Sequence, residues 1–415
     1  MQQRFDVVIV GAGVAGSVAA LLYARAGLNV LIADRKPERD SYKALCTHFL
    51  QPSARPVLAK LGIEDAITAI GGVPTKAAFW TRAGWIDPPG DYGSDGGDGR
   101  LVAYNIERRL LDPYLLGLLE AEPGVDVRIA CEVSLPRREA DGLWRLDLSQ
   151  DGKRTTVEAR LLVASDGRRS PLAGALGNHP VVEAENQRAC VFAYYEGIEA
   201  PANDRSLFML GDREMAFLYP LGGTRALLAA YVAKETAAAW AQDGDKSAKL
   251  LEFFATFPGV PDLGRAVLAS RVYGYLDYPN QMRRPVHDGV PFIGDAVVSL
   301  DPMSGVGCGF AMTAADLLVE ATAEALTSGA DLAPALEAYA RRHQETFAGH
   351  AQGIIADSVI AKSPETIEAV YGRICGDAGL QRDFIALTGR LIAPAQFQRS
   401  FLIAGAKSRA TAPTA

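Results

Sequence analysis

Residues 5–35, FDVVIVGAGVAGSVAALLYARAGLNVLIADR, decide how the rest of the chain is read. Residues 5–10 are an apolar run of strand type, and Gly11-Ala12-Gly13-Val14-Ala15-Gly16 follows with glycines at GxGxxG spacing. In a strand–turn–helix unit the first glycine allows the tight turn and the second lets backbone approach a pyrophosphate. The third lets the helix lie close to the sheet. Free N–H groups at the helix start and the helix dipole then favour the phosphates. Residues 29–33 form the next strand, and Asp34 ends it where an acid accepts from ribose hydroxyls. Dinucleotide binding through Gly11, Gly13, Val14, Ala15, Gly16 and Asp34 is therefore expected.

The 415 residues exceed one ordinary hydrophobic core, so two domains or a large domain with an appendage are expected. With 49% apolar and 22% charged residues, the composition is that of a folded protein. Net charge is −7 and the cations do not cluster, which gives no footprint for nucleic acid or an anionic membrane. The first strand starts after four residues, leaving no room for a signal peptide, and no apolar run approaches the ~18 residues of a membrane span. A cytoplasmic protein without integral membrane contact, monomer or homodimer, is expected. Cys46, Cys131, Cys190, Cys308 and Cys375 form no CxxC pair, so neither a metal site nor a disulfide framework is expected. Cys46 and Cys308 stand beside candidate site residues.

Along the chain, residues 52–61 have helical spacing and stop at Gly62. Residues 73–86 alternate loosely, 88–99 are a loop by composition, and 105–119 carry a leucine-rich helical face. Strands are expected at 125–129, 143–148, 155–158 and 160–165, with Asp151-Gly152 as a hairpin turn. From 181 to 275 short aromatic and β-branched runs indicate a mostly antiparallel sheet. Residues 266–273 read as a strand or helix end, and residues 409–415 should fray. The fold class is α/β. A Rossmann-like nucleotide-binding domain (1–78, 100–180, 276–345) is interrupted by a substrate-binding sheet domain (79–99, 181–275) and followed by a helical extension (346–415).

Two further loops repeat the combination of acid and glycine. Asp166-Gly167 leaves the strand at 160–165. Gly294-Asp295 leads to Asp301-Pro302-Met303-Ser304-Gly305-Val306-Gly307, which opens another helix. Its free N–H groups would stabilise negative charge on a flavin's N1–C2=O edge, and Asp295 would accept from the ribityl hydroxyls.

Together the three loops resemble the FAD-dependent aromatic hydroxylase family typified by p-hydroxybenzoate hydroxylase. Geranylgeranyl reductases and flavin-dependent halogenases share that fold. The resemblance covers residues 1 to about 345 and is weakest across 181–275. It implies FAD as cofactor and NADH or NADPH as co-substrate. Asp166 and Gly167 would serve both nucleotides, Arg108 the pyrophosphate and Arg35 the adenosine side, with Gly294, Gly305, Val306 and Gly307 along the flavin. The implied reaction is hydroxylation of an aromatic or polycyclic small molecule by O2 through a flavin C4a-hydroperoxide. A reductase or dehydrogenase of geranylgeranyl reductase type is the alternative, favoured by Ala296-Val297-Val298 where the hydroxylases have Ala-Ala-His. A halogenase comes third, since its Trp-x-Trp-x-Ile-Pro motif is absent. Lys76 resembles the halogenase lysine only loosely and reads more simply as a solvated residue between strands.

The cofactor would carry the hard chemistry, so the protein's part is placement, exclusion of water and electrostatics. His48 is the candidate polar group near the flavin, able to orient a phenol or take its proton, with Pro302 and Ser304 over the ring. Tyr194, Phe208, Phe217 and Tyr219 are candidate substrate contacts from the sheet, with Phe217 and Tyr219 on one face by period two. Arg225 is a candidate partner for a substrate carboxylate.

Overall fold

The computed structural model describes residues 3–92, 101–202, 205–211, 214–242, 244–359 and 363–410. The strand Gln3–Val10 lies within a seven-stranded sheet, parallel to Val30–Ala33 on one side and to Lys153–Ala164 on the other. Val7, Val8 and Ile9 have no exposed surface, as expected of a parallel strand covered on both faces. The helix Val14–Arg25 is buried from Val14 to Ala24, packed between this sheet and the long helix Gly307–Ser328.

Residues 155–158 and 160–165, expected as two strands, form one, Lys153–Ala164. Its first part is half-exposed where it pairs with Trp144–Gln150, and its last four residues are buried. One strand thus carries two hydrophobic patterns, and pattern alone divides it. The turn between the paired strands has positive φ at both Asp151 (51°) and Gly152 (73°), the hairpin geometry expected of Asp-Gly.

The second sheet has ten strands; eight run from Val267–Leu268 through Arg188–Glu196, Ala226–Ala233, Met215–Pro220, Arg205–Leu210, Val73–Thr81 and Ala103–Asn105 to Phe49–Leu50, while Tyr273–Tyr275 and Gly84–Ile86 pair beside Arg188–Glu196 and Val73–Thr81. Its pairings are antiparallel except Arg205–Leu210 with Val73–Thr81. A division at 78/79 therefore falls inside a strand, and Phe49–Leu50 and Ala103–Asn105 join this sheet rather than the first. Alternation sorts its side chains: Phe208, Phe217 and Tyr219 pack in one apolar cluster, and Leu207, Met209 and Leu218 in the opposite one. Helices Lys234–Gln242 and Lys246–Phe254 cover the latter face. Helices Pro364–Cys375, Ala378–Thr388 and Pro394–Ala410 cover the former through Ile374, Ile385, Phe384 and Phe397.

The division expected at 345/346 lies within one helix, Ala333–Val359, whose Phe347, Ala351 and Ile354 belong to the nucleotide-domain core. Residues 93–99 of the expected loop and 411–415 of the tail lie outside the described residues.

That helix also carries two buried imidazoles. Burial pushes His343 and His350 down to about 4, helped at His350 by the Arg390 guanidinium. Both stay neutral in the folded chain while unfolded histidines titrate near 6.5. Between pH 7 and 5 the unfolded chain gains protons that the folded chain refuses, so stability falls with pH. The loss is on the order of 2 kcal/mol for His343, with His350 adding in the same direction. Urea titrations should show this decline and should show it flattened in His343→Leu; an equally steep decline in that variant would reject His343 as a source.

Candidate active site

A cavity of about 850 Å³ lies along the C-terminal ends of Gln3–Val10 and Lys153–Ala164, within the range of ligand sites. The three loops meet in it. Gly11, Gly13, Val14 and Ala15 line it from the first, Asp166 and Gly167 from the second, and Gly294, Asp295, Gly305, Val306 and Gly307 from the third. Asp34, Arg35, Arg108, His48, Pro302 and Ser304 line it as well. Gly16 lies beneath, where a Cβ would stand 1.9 Å from the Gly11 carbonyl oxygen.

The residues present fit FAD. At Gly11 (φ 106°) a Cβ would lie 2.3 Å from the Ser165 carbonyl oxygen, whereas at Gly13 it would meet nothing within 4 Å. Gly11 and Gly16 thus serve close internal packing, and Gly13 leaves backbone open to the cavity. Gly13 also caps the helix Val14–Arg25 without any side-chain bond at its start, leaving N–H groups for an anion. Asp34 accepts from Ala12 N (2.6 Å) and Lys36 N (2.8 Å), one bond per oxygen, so each oxygen keeps a lone pair for a ribose hydroxyl. Asp295 pairs with Lys43 Nζ at 2.7 Å and holds that ammonium above its usual range. The buried Arg108 forks onto Asp112 (2.6 and 3.0 Å). Asp166 faces inward, accepting from Ser170 Oγ (2.6 Å) and Leu172 N (2.9 Å), with burial raising its carboxyl.

His48 neither caps the following helix nor faces solvent. It is 2% exposed and its backbone is left-handed, φ 66°. Its Nδ1 accepts from Arg108 N at 3.0 Å, so in the neutral ring Nε2 carries the proton and donates to the Tyr194 hydroxyl. Both ring nitrogens are engaged, and the hydroxyl proton of Tyr194 remains to donate. Burial keeps that phenol protonated far above its ordinary range.

Next to His48, Cys46 and Cys308 are free thiols lining the cavity. Arg108 Nη1 reaches Cys308 Sγ at 3.7 Å, and His48 N donates to Cys46 Sγ at 3.4 Å. The Cys308 S–H, aided by His48 and Arg108, lowers the Cys46 thiol well below its usual value, and Cys308 is raised in turn.

Other expected residues lie elsewhere. Tyr194, Phe208, Phe217 and Tyr219 are buried and do not line this cavity. Phe208 packs on Phe79 and Phe217, and Tyr219 on Phe49, which does line it. Arg225 is engaged by Glu107 (3.1 Å) and Glu196 (2.9 Å) and lies over the Tyr194 ring. Lys76 is not solvated: it is 2% exposed, bonded to the Pro88 and Gly90 carbonyls and to Asp87, outside the cavity lining. It ties the loop entry to its strand. Sequence reasoning missed Lys43 and Asp112, and also Arg188, which binds Asp301 at 2.8 Å. For Asp112 the i,i+4 spacing from Arg108 was the available signal.

The lowered thiol has a consequence for labelling. Iodoacetamide at pH 7 should modify Cys46 before Cys131, Cys190 and Cys375, whose thiols burial pushes up. Bound FAD should slow the reaction. Peptide mass mapping that finds Cys131 or Cys375 labelled first would reject this ordering.

Comparison with known proteins agrees with this geometry. Digeranylgeranylglycerophospholipid reductase 1 of Methanopyrus kandleri is 27% identical over 367 residues, 83% of this chain and 87% of the relative. Reductase 2 of that organism is 25% identical over 355 residues, 83% of each. The p-nitrophenol 4-monooxygenase of Pseudomonas putida superposes with a TM-score of 0.77 at 17% identity, covering 95% of this chain and all of the other. A myxobacterial chondrochloren halogenase gives 0.72 at 20% identity, covering 94% of this chain and all of that one. At such identities the two structures show a shared fold. The family model for the FAD binding domain matches residues 4–251, more than half the chain, so the chain belongs to that family and is an FAD-dependent oxidoreductase.

Proposed function

We propose that the protein is an NAD(P)H-dependent monooxygenase that hydroxylates an aromatic or polycyclic small molecule. The carrying observation is where the aromatic face of the ten-stranded sheet meets the turn at Pro302. The hydroxyl of Tyr231, on that face, donates to the Pro302 carbonyl at 3.4 Å, and Phe49 of the same cluster reaches the cavity. The Phe49 ring, stacked on Tyr219 and open to the cavity, suits contact with a flat apolar ligand. Burial holds Tyr219 and Tyr231 protonated, so the cluster behind Phe49 brings no charge to the cavity wall.

Bound FAD would supply the redox chemistry, accepting a hydride from NAD(P)H and passing electrons to dioxygen. This chain's residues do the rest. The turn Pro302–Ser304 and the start of the helix Gly307–Ser328 would hold the flavin. Tyr194, buried behind His48, holds that imidazole through its hydroxyl and acts on the cavity through His48. The aromatic cluster keeps water out.

A second reading, reduction of a carbon–carbon double bond without oxygen, is favoured by the likeness to digeranylgeranylglycerophospholipid reductases and by His48 having no free basic nitrogen. Product mass separates the two. Incubation with NADH or NADPH in air should add the mass of one oxygen atom to the substrate, whereas a gain of two hydrogens under nitrogen would replace the hydroxylase reading by the reductase one. Tyr194→Phe should retain FAD and lower kcat/KM about tenfold, as expected for one hydrogen bond of ~1.4 kcal/mol lost from His48; unchanged kinetics would show that His48 works without Tyr194.

A further inference from the structure

The turn that would face the flavin is held from behind by the C-terminal helices. Arg390 lies between the helices Ala378–Thr388 and Pro394–Ala410, and its Nη2 donates to the Ser304 carbonyl at 3.1 Å. Gln51 Nε2 reaches the same oxygen at 3.3 Å. Two side chains from distant parts of the chain therefore fix the Ser304–Gly305 peptide, and with it the direction in which the following helix start points its N–H groups.

Arg390 occupies a left-handed position, φ 63°, where helix ends ordinarily place glycine. For a long side chain this is strained by roughly 1 kcal/mol or more. Its Nε is buried with no partner, and none of the ion pairs among the described residues involves it. Asp357, the nearest compensating charge, is itself held by Arg188. Neither local conformation nor pairing accounts for an arginine here. Its contact with the turn does.

We propose that Arg390 is a positioning residue of the flavin site: it orients the Ser304–Gly305 peptide and sets behind the turn a cation that belongs to no ion pair among the described residues, favouring the reduced, more negative flavin. The inference rests on the FAD reading, which the wild-type protein tests separately.

The experiment measures flavin content, melting temperature and midpoint potential in the wild type, Arg390→Gly, Arg390→Gln and Arg390→Lys. Glycine removes strain and charge, glutamine removes charge but keeps bulk and donors, and lysine keeps the charge. Expected are full flavin content in all four and a melting temperature in Arg390→Gly equal to or above wild type. The potential should fall by about 30 mV in the glycine and glutamine variants, the equivalent of a tenfold change in relative affinity for reduced over oxidised flavin. Lysine should recover at least half of that shift. Wild-type potential in both neutral variants, or a lysine variant no closer to wild type than glutamine, would overturn the proposal. A purely structural arginine would lower the melting temperature and leave the potential in place. A wild-type protein that takes up no FAD would overturn the flavin reading itself, and this proposal with it.

Discussion

The site depends on one strand end. Ala164 pairs in parallel with Val10 on one side and with Phe292 on the other, and Ile293 N donates to its carbonyl at 2.9 Å. The chain segments that leave Val10, Ala164 and Ile293 therefore start side by side, although they are far apart in sequence. Each turns away through an acid or glycine loop, and parallel strands place all three loops beyond the same edge of the sheet. The lack of a side chain at Gly11 lets Ser165 pack against the first loop. Any larger residue there would push the first two loops apart and divide the cleft.

This much was legible from residues 5–35 because a phosphate-binding turn has a local signature: glycines at fixed offsets between an apolar run and a helix. The acid–glycine loops at 166 and 294 were legible for the same reason. What was not legible depends on pairing over distance. Phe49–Leu50 is too short to declare itself a strand and becomes one only by pairing with Ala103–Asn105. Arg225 reads as a free arginine until Glu107, 118 residues away, meets it. Lys76 reads as solvated because nothing local shows that the carbonyls of Pro88 and Gly90 will fold over its ammonium. The aromatic face of the large sheet was legible as a face, through period two, but which helices would cover it was not.

The turn Pro302–Ser304 shows how buried charge is used for geometry. Asp301 is 1% exposed, and burial raises its carboxyl even though Arg188 opposes the shift. Such a pair adds little net stability, since desolvation offsets attraction. It fixes direction instead. Asp301 accepts from Met303 N and Arg188 Nη1, its own N–H donates to Asn280, and its carbonyl takes Ser304 N and Oγ. Arg188 and Asn280 continue to Asp357 and Ser358 at the end of the helix Ala333–Val359. The turn is thereby tied to a helix whose Phe347, Ala351 and Ile354 lie in the nucleotide-domain core.

The two ends of the turn are held by groups of opposite character. The Asp301 end is fixed by a carboxylate locked to an arginine, so its charge is largely cancelled within the protein. The Ser304 end is fixed by the Arg390 guanidinium, which belongs to no ion pair among the described residues and is opposed by the charge of Asp357. A ring lying along the turn would meet a nearly neutral surface at one end and a positive one at the other, in addition to the dipole of the helix Gly307–Ser328. Negative charge developing on the ring would then be stabilised mainly at the Ser304–Gly307 end. That asymmetry would come from Arg188 having an ion-pair partner where Arg390 has none among the described residues, a property set by the C-terminal helices and invisible in the glycine pattern that announces the site.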